Sequence, residues 1–235
     1  MAQQVFEQLP LSVQLKDDAT FDNYYVADNA EAVSSLQKAS VGLGEQCLYI
    51  WGEPGVGCSH LLQAACHQAE SVNRNSVYLP LEELVEYSPA IFESLESLPL
   101  ISLDNLHAIA GKPDWEEALF HLFNRVRDAG GCLILAGNVP LEELGIKLPD
   151  LLSRLNWGLL YPLSPLDEAG HLRAFQHRAH QRGLEISDDV ARYVMNHVDS
   201  DDMAELQKTL SVLDRASLSA QRKLTKPFVK SVMGW

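Results

Sequence analysis

Apolar and polar positions follow two different periods along this chain, one typical of buried strands and the other of amphipathic helices. Short apolar runs that end at glycine, proline or polar residues predict five strands. These runs occupy residues 47–51, 76–79, 98–104, 132–138 and 158–163. Because helical segments separate them, the pattern predicts an α/β fold, with a five-stranded parallel sheet flanked by helices.

Helical periodicity is clearest between residues 114 and 128, where apolar side chains recur three and four positions apart. They are Trp115, Ala118, Leu119, Leu122, Phe123 and Val126. The other predicted helices lie at residues 29–41, 61–70, 148–155, 167–182, 187–197, 202–221 and 225–233. The chain is thus expected to hold a flexible leader at 1–20, an α/β domain at 21–164 and a small all-helical domain at 165–235.

The segment 52–60 lies between a predicted strand and a predicted helix, which is the setting of a phosphate-binding loop. Gly52, Gly57 and Ser59 meet the spacing of that motif, but Cys58 occupies its lysine position. Glycine backbone and helix N-terminal N–H groups bind phosphate without a lysine. We therefore expect nucleotide binding to persist, with a weaker preference for triphosphate and impaired hydrolysis. A glycine-rich turn without a ligand is the alternative.

Polar residues end two of the predicted strands. Asp104 closes an apolar run, and we expect it at the carboxyl edge of the sheet, where it would hold Mg²⁺ together with Ser59. Capping of the next turn is the alternative for this aspartate. Asn105 follows where many hydrolases place a glutamate, and an amide cannot act as a general base. Asn138 either orients water or phosphate, or begins the turn at Pro140.

Composition and charge indicate whether the chain spans a membrane and which class of partner it binds. The chain is 46% hydrophobic, but it has no apolar run of membrane-spanning length and no signal segment at its start. The formal net charge is −14, and the first 100 residues carry 14 acidic and three basic side chains. Such a charge disfavours contact with a nucleic-acid backbone and favours protein partners.

The four cysteines are Cys47, Cys58, Cys66 and Cys132, and they lack the paired spacing of a metal site. In a chain without a signal segment they predict reduced thiols and a cytoplasmic protein. Cys58 is expected at a helix N-terminus, where the pKa of a thiol can be lowered. A redox role for Cys58 is one interpretation, and a small side chain that fills the loop is the simpler one.

Residues 8–13 form a short apolar segment inside a polar leader. One interpretation is a loose terminus that carries a few leucines. The other is a docking peptide, in which Gln8 anchors by its amide while Leu9 and Leu11 enter a groove on a partner protein.

Several of these segments, taken in order, resemble one family. They are the loop at 52–60, the acid strand at 100–105, the strand end at 135–138, the arginine segment at 148–158 and the tail at 213–217 and 220–230. The set resembles the AAA+ ATPases of the DnaA initiator group and, within that group, the Hda-type regulators of DnaA. The resemblance covers nearly the whole chain, and its tail and arginine segments are more specific than its loop. It implies an AAA+ P-loop domain followed by a helical lid.

The resemblance implies an adenine-nucleotide site that favours ADP, with any Mg²⁺ held by Ser59 and Asp104. The implied cofactor-binding residues are Gly52, Pro54, Gly55, Val56, Gly57, Cys58, Ser59, His60, Asp104, Asn23 and Tyr25. Asn138 takes the sensor 1 position, and the first helices of the lid are expected to close over the nucleotide.

The resemblance also implies two protein partners. Arg154 takes the place of the arginine finger that acts on ATP bound to DnaA, and a surface salt bridge is the alternative role for this side chain. Gln8, Leu9 and Leu11 take the place of the peptide that docks on the β sliding clamp. The two residues that follow this peptide depart from the usual leucine-proline ending.

Three departures from an active AAA+ site agree with one another. Cys58 replaces the loop lysine, Asn105 replaces the usual glutamate and Ala204 occupies the sensor 2 arginine position. Each change removes a charge or a base that phosphoryl transfer uses. We therefore expect a regulator with little or no hydrolysis of its own, which stimulates hydrolysis of DnaA-bound ATP and prevents over-initiation.

Other functions remain open on the sequence alone. One alternative is an autonomous AAA+ ATPase of the helicase-loader type, and another is a non-catalytic adaptor between DnaA and the clamp. Sequence-specific DNA binding is disfavoured by the acidic charge and by the lack of a helix-turn-helix segment after the last helix. Membrane association is not expected, and assembly of several copies of the chain stays open.

Overall fold

The computed structural model describes residues 15–198 and 203–235. Five strands form one parallel sheet, and the prediction of this sheet is thereby confirmed. They are β1 (Cys47–Trp51), β2 (Ser76–Pro80), β3 (Leu100–Asp104), β4 (Cys132–Gly137) and β5 (Leu159–Pro162). Their order across the sheet is β2-β3-β4-β1-β5. Because β3, β4 and β1 are neighbours, the loops at their carboxyl ends meet at one edge.

The helices follow the sequence pattern closely. Within the described residues they are α1 (Ala30–Ser40), α2 (Cys58–Ser71), α3 (Leu81–Leu84), α4 (Pro113–Asp128), α5 (Pro149–Leu155), α6 (Glu168–Gln181), α7 (Asp188–Met195), α8 (Met203–Ala220) and α9 (Lys226–Met233). α2 begins at Cys58, directly after the loop, and not three residues later. None of the described helices combines the length and the apolar composition that a membrane-spanning segment needs.

Each face of the sheet carries its own apolar core. On one face α4 and α5 cover a cluster that includes Tyr49, Leu135 and Leu155. On the other face α1 and α2 cover a cluster that includes Ile50 and Leu62. Successive residues of β1 enter different cores because side chains alternate along a strand. Each such buried side chain contributes roughly 1.5–3 kcal/mol, so the sheet is a firm support for the loops at its edge.

The lid helices α6 to α9 pack around a third cluster, which includes Phe175, Leu210 and Val229. Asp167 caps α6, because its carboxylate accepts a hydrogen bond from the Gly170 N–H at 2.6 Å. This cap starts α6 shortly after β5 and places the helix beside the loop that follows β1.

A buried carboxylate fixes the start of α5. Glu116 on α4 is 1% exposed. Its two oxygens accept hydrogen bonds from the N–H groups of Gly111 at 2.6 Å, Lys147 at 2.9 and 3.0 Å, and Leu148 at 2.7 Å. Pro149 follows in the first turn of α5, where its fixed φ favours a helix start and its missing N–H needs no partner. Glu116 therefore sets the position of the helix whose last turn carries the predicted arginine finger.

Candidate functional site

The loop between β1 and α2 has a backbone shape that depends on its glycines. Gly55 and Gly57 have positive φ angles of 95° and 101°. A Cβ atom on Gly57 would lie 2.7 Å from Cε2 of Tyr24, which is closer than packed side chains tolerate. α2 starts at Cys58, so the N–H groups of its first turn face the loop without intrahelical acceptors. This combination is typical of an anion-binding loop.

Two cavities flank the loop. The lid-side cavity, of about 330 Å³, lies between the loop, the segment before α1 and helix α6. The strand-edge cavity, of about 460 Å³, lies between the loop and the carboxyl ends of β3 and β4. Glu53, Pro54, Gly55 and Gly57 line both cavities, so the loop is the wall that they share. Both volumes lie in the range of small-molecule sites.

The structure brings the predicted cofactor-binding residues together around these cavities. The lid-side cavity is lined by Asn23, Tyr25, Pro54, Gly55, Val56, Gly57 and His60. The strand-edge cavity is lined by Gly52, Pro54, Gly55, Gly57, Cys58, Ser59, Asp104 and Asn138. Asn138 follows β4 directly and is exposed at this edge. The predicted residues thus surround one elongated cleft that runs along the loop.

Asp104 ends β3 with both oxygens of its carboxylate engaged. The residue is 3% exposed. Tyr78 donates a 2.6 Å hydrogen bond to Oδ2, and the Asn105 N–H donates a 2.9 Å bond to Oδ1. Burial, and next the charge of Asp104, raise the pKa of Tyr78, so its hydroxyl stays protonated and keeps donating. Sequence reasoning missed Tyr78, because only the pairing of β2 with β3 brings it to Asp104.

Oxygen donors at the strand edge suit Mg²⁺. Asp104 and Ser59 line the same cavity, and carboxylate and hydroxyl oxygens are ligands that this ion prefers. Within residues 15–198 and 203–235, no group of three or more His, Cys, Asp or Glu side chains is arranged to hold a metal. A Mg²⁺ ion in this cavity would therefore take its remaining ligands from phosphate oxygens and water.

Cys58 takes the lysine position of the loop with a thiol that is neutral. Its sulfur lies 4.0 Å from the carbonyl oxygen of Gly137 on β4. Burial, and next the charge of Asp104, raise the pKa of the thiol to about 12. The expectation that the helix N-terminus lowers this pKa is wrong, because desolvation of the thiolate outweighs the helix dipole. The loop thus has neither a cation nor a reactive thiolate at this position.

The native protein should resist thiol alkylation. Burial raises the pKa of Cys47 and Cys132 to about 12 and also raises the pKa of Cys66. Because the thiolate is the reactive form, iodoacetamide near neutral pH should leave the folded chain unmodified for a time that modifies all the cysteines in urea. Intact-mass measurement counts the adducts, and fast modification of Cys58 in the folded chain would contradict its raised pKa.

His60, in the first turn of α2, joins the loop to the lid. Its Nε2 lies 2.8 Å from the Thr20 carbonyl oxygen, which only accepts, so Nε2 carries the proton and donates. Nδ1 then accepts a 3.1 Å hydrogen bond from Nη2 of Arg178 on α6. Arg178 is 9% exposed, donates from Nε to the Asn23 carbonyl oxygen at 3.2 Å and lies 3.7 Å from Asp18. Sequence reasoning did not identify Arg178, which lines the lid-side cavity.

Acid should weaken this contact and destabilise the protein. Burial lowers the pKa of the His60 imidazole from its ordinary 6.5 to about 4. Between these values the unfolded chain binds a proton that the folded chain does not, so stability is intact above pH 6.5 and falls as the pH drops towards 4. The full loss amounts to roughly 3 kcal/mol.

Urea titrations across this pH range measure the effect of His60. The His60→Gln variant should lose most of the pH dependence, whereas a matched variant of the exposed His121, His121→Gln, should keep it. An unchanged pH dependence in His60→Gln would show that another group carries it.

Tyr24 and Asn29 hold the loop against the segment that leads to the lid. The Tyr24 hydroxyl donates to the Val56 carbonyl oxygen at 3.1 Å, and Asn29 Nδ2 donates to that hydroxyl at 3.0 Å. Asn29 also accepts from the Ser164 N–H at 2.8 Å and donates to the Ser164 carbonyl oxygen at 3.1 Å. One hydrogen-bond network therefore connects the loop with the start of the lid segment.

Arg154 lies in the last turn of α5 and lines neither cavity. Its guanidinium carbon lies 4.2 Å from the centre of the Trp157 ring. No carboxylate of the described residues forms an ion pair with Arg154, so the surface salt bridge considered for it is not formed there. The side chain instead lies on an indole at the protein surface.

Some predicted residues lie outside the part of the chain that the structure describes. Gln8, Leu9 and Leu11 are among them, so the docking peptide stays a prediction. Ala204 belongs to α8, but its side chain is likewise outside the described set. Its assignment to the sensor 2 position stays a prediction as well.

Two family models match consecutive parts of the chain. The model described as "Bacterial DnaA ATPAse domain" matches residues 15–162. The model described as "Hda, lid domain" matches residues 167–233. The first match contains the whole sheet and the loop, and the second contains the four lid helices.

Solved structures share this fold. Domain III of the replication initiation protein DnaA from Thermotoga maritima is 22% identical, with a TM-score of 0.72, over 94% of this chain and 98% of that one. AMPPCP-bound DnaA from Aquifex aeolicus is 22% identical, with a TM-score of 0.67, over 86% of this chain and 67% of that one. The Holliday junction branch migration motor RuvB from Thermotoga maritima is 15% identical, with a TM-score of 0.63, over 88% of this chain and 68% of that one. At these identities the likeness concerns the fold alone.

Proposed function

The chain belongs to the family of bacterial DnaA ATPase domains and carries an Hda-type lid, and we propose that it acts on DnaA itself by supplying Arg154 to the hydrolysis of DnaA-bound ATP. Hydrolysis would convert the initiator to its ADP form and so prevent over-initiation. The chain would then be an ATPase activator, and its own nucleotide would serve as a structural part.

The cleft along the loop is the proposed site of that nucleotide. Asn23 and Tyr25 line the lid-side cavity, which we assign to the base and the ribose of an adenine nucleotide. The strand-edge cavity receives the phosphates and, with Ser59 and Asp104, a Mg²⁺ ion. This assignment is supported by the volumes and by the AMPPCP bound to the DnaA relative. With a neutral Cys58 in place of lysine, ADP is favoured, since a γ-phosphate gains no cation from the loop.

One observation carries the proposal, namely that Arg154 is held away from the chain's own cleft. It lines neither cavity, and it lies at the surface beside the exposed Trp157. In the cleft, the position directly after Asp104 is taken by Asn105, whose amide cannot act as the general base that many hydrolases place there. A cleft that departs from an active site at Cys58 and Asn105, together with an arginine that lines neither cavity, fits an action on another protein's nucleotide.

The chemistry of an arginine finger follows from its guanidinium. Charge spreads over the oxygens of the transferring phosphoryl group as the bond to the leaving group breaks. A planar fork of N–H donors stabilises that charge when it is brought within hydrogen-bond distance. In other nucleotide-hydrolysing systems such an arginine is worth roughly 10³–10⁵ in rate. Here Arg154 would supply it, on a helix whose start is fixed by the buried Glu116.

The leader is the proposed tether to the β sliding clamp. Gln8 would anchor by its amide, while Leu9 and Leu11 would fill an apolar groove. A tether of this kind raises the effective concentration of the chain beside newly replicated DNA without any new contact to DnaA. DNA itself is not a proposed ligand of the acidic body.

The test is the decay of ATP preloaded on DnaA after the chain is added, with and without DNA-loaded clamp. We expect fast hydrolysis with the intact chain and clamp. The Gln8→Ala variant should need a higher concentration for the same effect, because it loses only the tether. Binding of the chain to DnaA without any stimulation would leave a non-catalytic adaptor, and equal turnover without DnaA would indicate an autonomous ATPase.

A further inference from the structure

Trp157 stands out among the exposed side chains of this acidic protein. It is 63% exposed, and a single exposed apolar residue needs no special explanation. Two cations, however, lie near this indole. The guanidinium carbon of Arg154 is 4.2 Å from the ring centre, and that of Arg127 is 5.8 Å from it. Both distances are within the range of cation–π attraction.

The backbone around Trp157 is held firmly. Its N–H donates to the Arg154 carbonyl oxygen at 3.1 Å, and the next N–H, of Gly158, donates to the Leu155 carbonyl oxygen at 3.3 Å. A Cβ atom on Gly158 would lie 2.5 Å from the carbonyl oxygen of Cys47 at the start of β1. The chain therefore passes tightly against the sheet immediately after Trp157, so the indole is mounted on a rigid base.

The indole supports Arg154 in a way that a carboxylate would not. A cation–π contact attracts the charge of the guanidinium to the face of the ring and does not pair its N–H donors with an acceptor. A carboxylate would occupy two of those donors and neutralise the charge. Within the described residues, Arg154 has no ion pair and none of its side-chain N–H groups is used in a hydrogen bond. Its side chain is thus oriented while its charge and its donors remain free.

We propose that Trp157 is a positioning residue, which holds the guanidinium of Arg154 in the orientation needed to enter the nucleotide site of the partner protein. The inference rests on the proposed function, because it concerns how the finger acts. The stack reduces the rotamers that a long arginine side chain would otherwise sample before it docks. Loss of this contact should therefore lower the rate of ATP hydrolysis within the complex with DnaA more than it lowers the affinity for DnaA. A misplaced catalytic group commonly costs roughly 10²-fold in rate.

Arg127 provides a matched control for this claim. It also lies near the Trp157 ring, but it stands on α4 and pairs with Asp128 at 3.4 Å. Removing it takes one cation from the indole and leaves the closer stack with Arg154 in place. The Arg127→Ala variant should therefore keep the maximal rate within about threefold of the intact chain.

The kinetic experiment measures single-turnover hydrolysis of DnaA-bound ATP at increasing concentrations of the chain, which separates the maximal rate from the half-saturating concentration. Trp157→Ala should lower the maximal rate roughly 10–100-fold, and Trp157→Phe should restore most of it because the smaller aromatic face still accepts a cation. A normal maximal rate with a raised half-saturating concentration in Trp157→Ala would overturn the inference and make Trp157 a docking contact.

A second readout does not depend on DnaA. In an NMR spectrum of the full chain, the Nε–H signal of Arg154 should show a ring-current shift that Trp157→Ala abolishes and Trp157→Phe retains. The absence of that shift in the intact chain would overturn the inference even if stimulation occurs. If the shift is present but the intact chain fails to stimulate hydrolysis, the proposed function fails and the positioning role falls with it.

Discussion

Replacing Arg154 with alanine should lower the rate of DnaA-bound ATP hydrolysis by roughly 10³-fold or more, to the rate of DnaA alone. The variant loses the cation that would face the transferring phosphoryl group. Its affinity for its own nucleotide should stay within about twofold of the intact value, because Arg154 lines neither cavity. Single-turnover decay of ATP on DnaA and equilibrium binding of ADP to the chain measure the two quantities.

The conservative variant Arg154→Lys sharpens this prediction. A lysine keeps the charge but lacks the planar fork, so its rate should lie between those of the intact chain and Arg154→Ala. Circular dichroism and unfolding curves should be the same for all three proteins, since the side chain is at the surface. If Arg154→Ala stimulated hydrolysis of DnaA-bound ATP as fully as the intact chain does, Arg154 would not be an arginine finger.

Replacing Glu116 with alanine should destabilise the fold by about 3–5 kcal/mol, since each buried donor left without a partner costs roughly 1–3 kcal/mol. The donors that lose their acceptor are the N–H groups of Gly111, Lys147 and Leu148. Two of them lie directly before α5, so the helix that carries Arg154 should also lose its fixed start. Urea denaturation measures the loss, and stimulation of DnaA should fall even where the chain remains folded.

Glu117 supplies the control for Glu116. It is the next residue on the same helix, but its side chain is 73% exposed and lies 3.7 Å from His121. An exposed pair of this kind contributes little to stability. The free energy of unfolding of Glu117→Ala should therefore lie within about 0.5 kcal/mol of that of the intact chain. Equal stabilities of Glu116→Ala and Glu117→Ala would contradict the anchoring role of Glu116.

The features that the sequence predicted well are local ones. A run of apolar residues with a polar end identifies a strand and places Asp104 at the sheet edge, because alternation and length are properties of a few neighbouring residues. The glycine spacing at 52–60 likewise identifies the loop without knowledge of the rest of the chain. The five-stranded parallel sheet and the lid helices followed from the same reasoning.

The contacts that the sequence did not predict join residues far apart in the chain. Tyr78 donates to Asp104 across 26 residues, and Arg178 donates to His60 across 118 residues. Nothing in the local pattern around either donor indicates its partner, because only the pairing of strands and the packing of the lid bring them together. Glu116 was missed for the same reason, since one charged position on an amphipathic helix normally indicates a solvated face.

Cys58 shows how burial reverses a local rule. A helix N-terminus lowers the pKa of an exposed thiol through its dipole, and the sequence predicts that setting correctly. The structure places the half-buried Cys58 beside β4 and near Asp104, and desolvation of the thiolate together with that charge raises the pKa to about 12. The position of Cys58 in the sequence predicts the effect of the helix dipole on its pKa. The effect of desolvation depends on the tertiary structure.

The most direct test of the account is to follow two separately labelled nucleotides in one reaction. DnaA is loaded with ATP that carries one label, the chain is loaded with ATP that carries another, and the two proteins are mixed with DNA-loaded clamp. If Arg154 acts on DnaA, the labelled ATP on DnaA should be converted rapidly to ADP, while the labelled ATP on this chain should be hydrolysed slowly or not at all. Rapid hydrolysis of the chain's own ATP, with the DnaA-bound ATP unchanged, would contradict it.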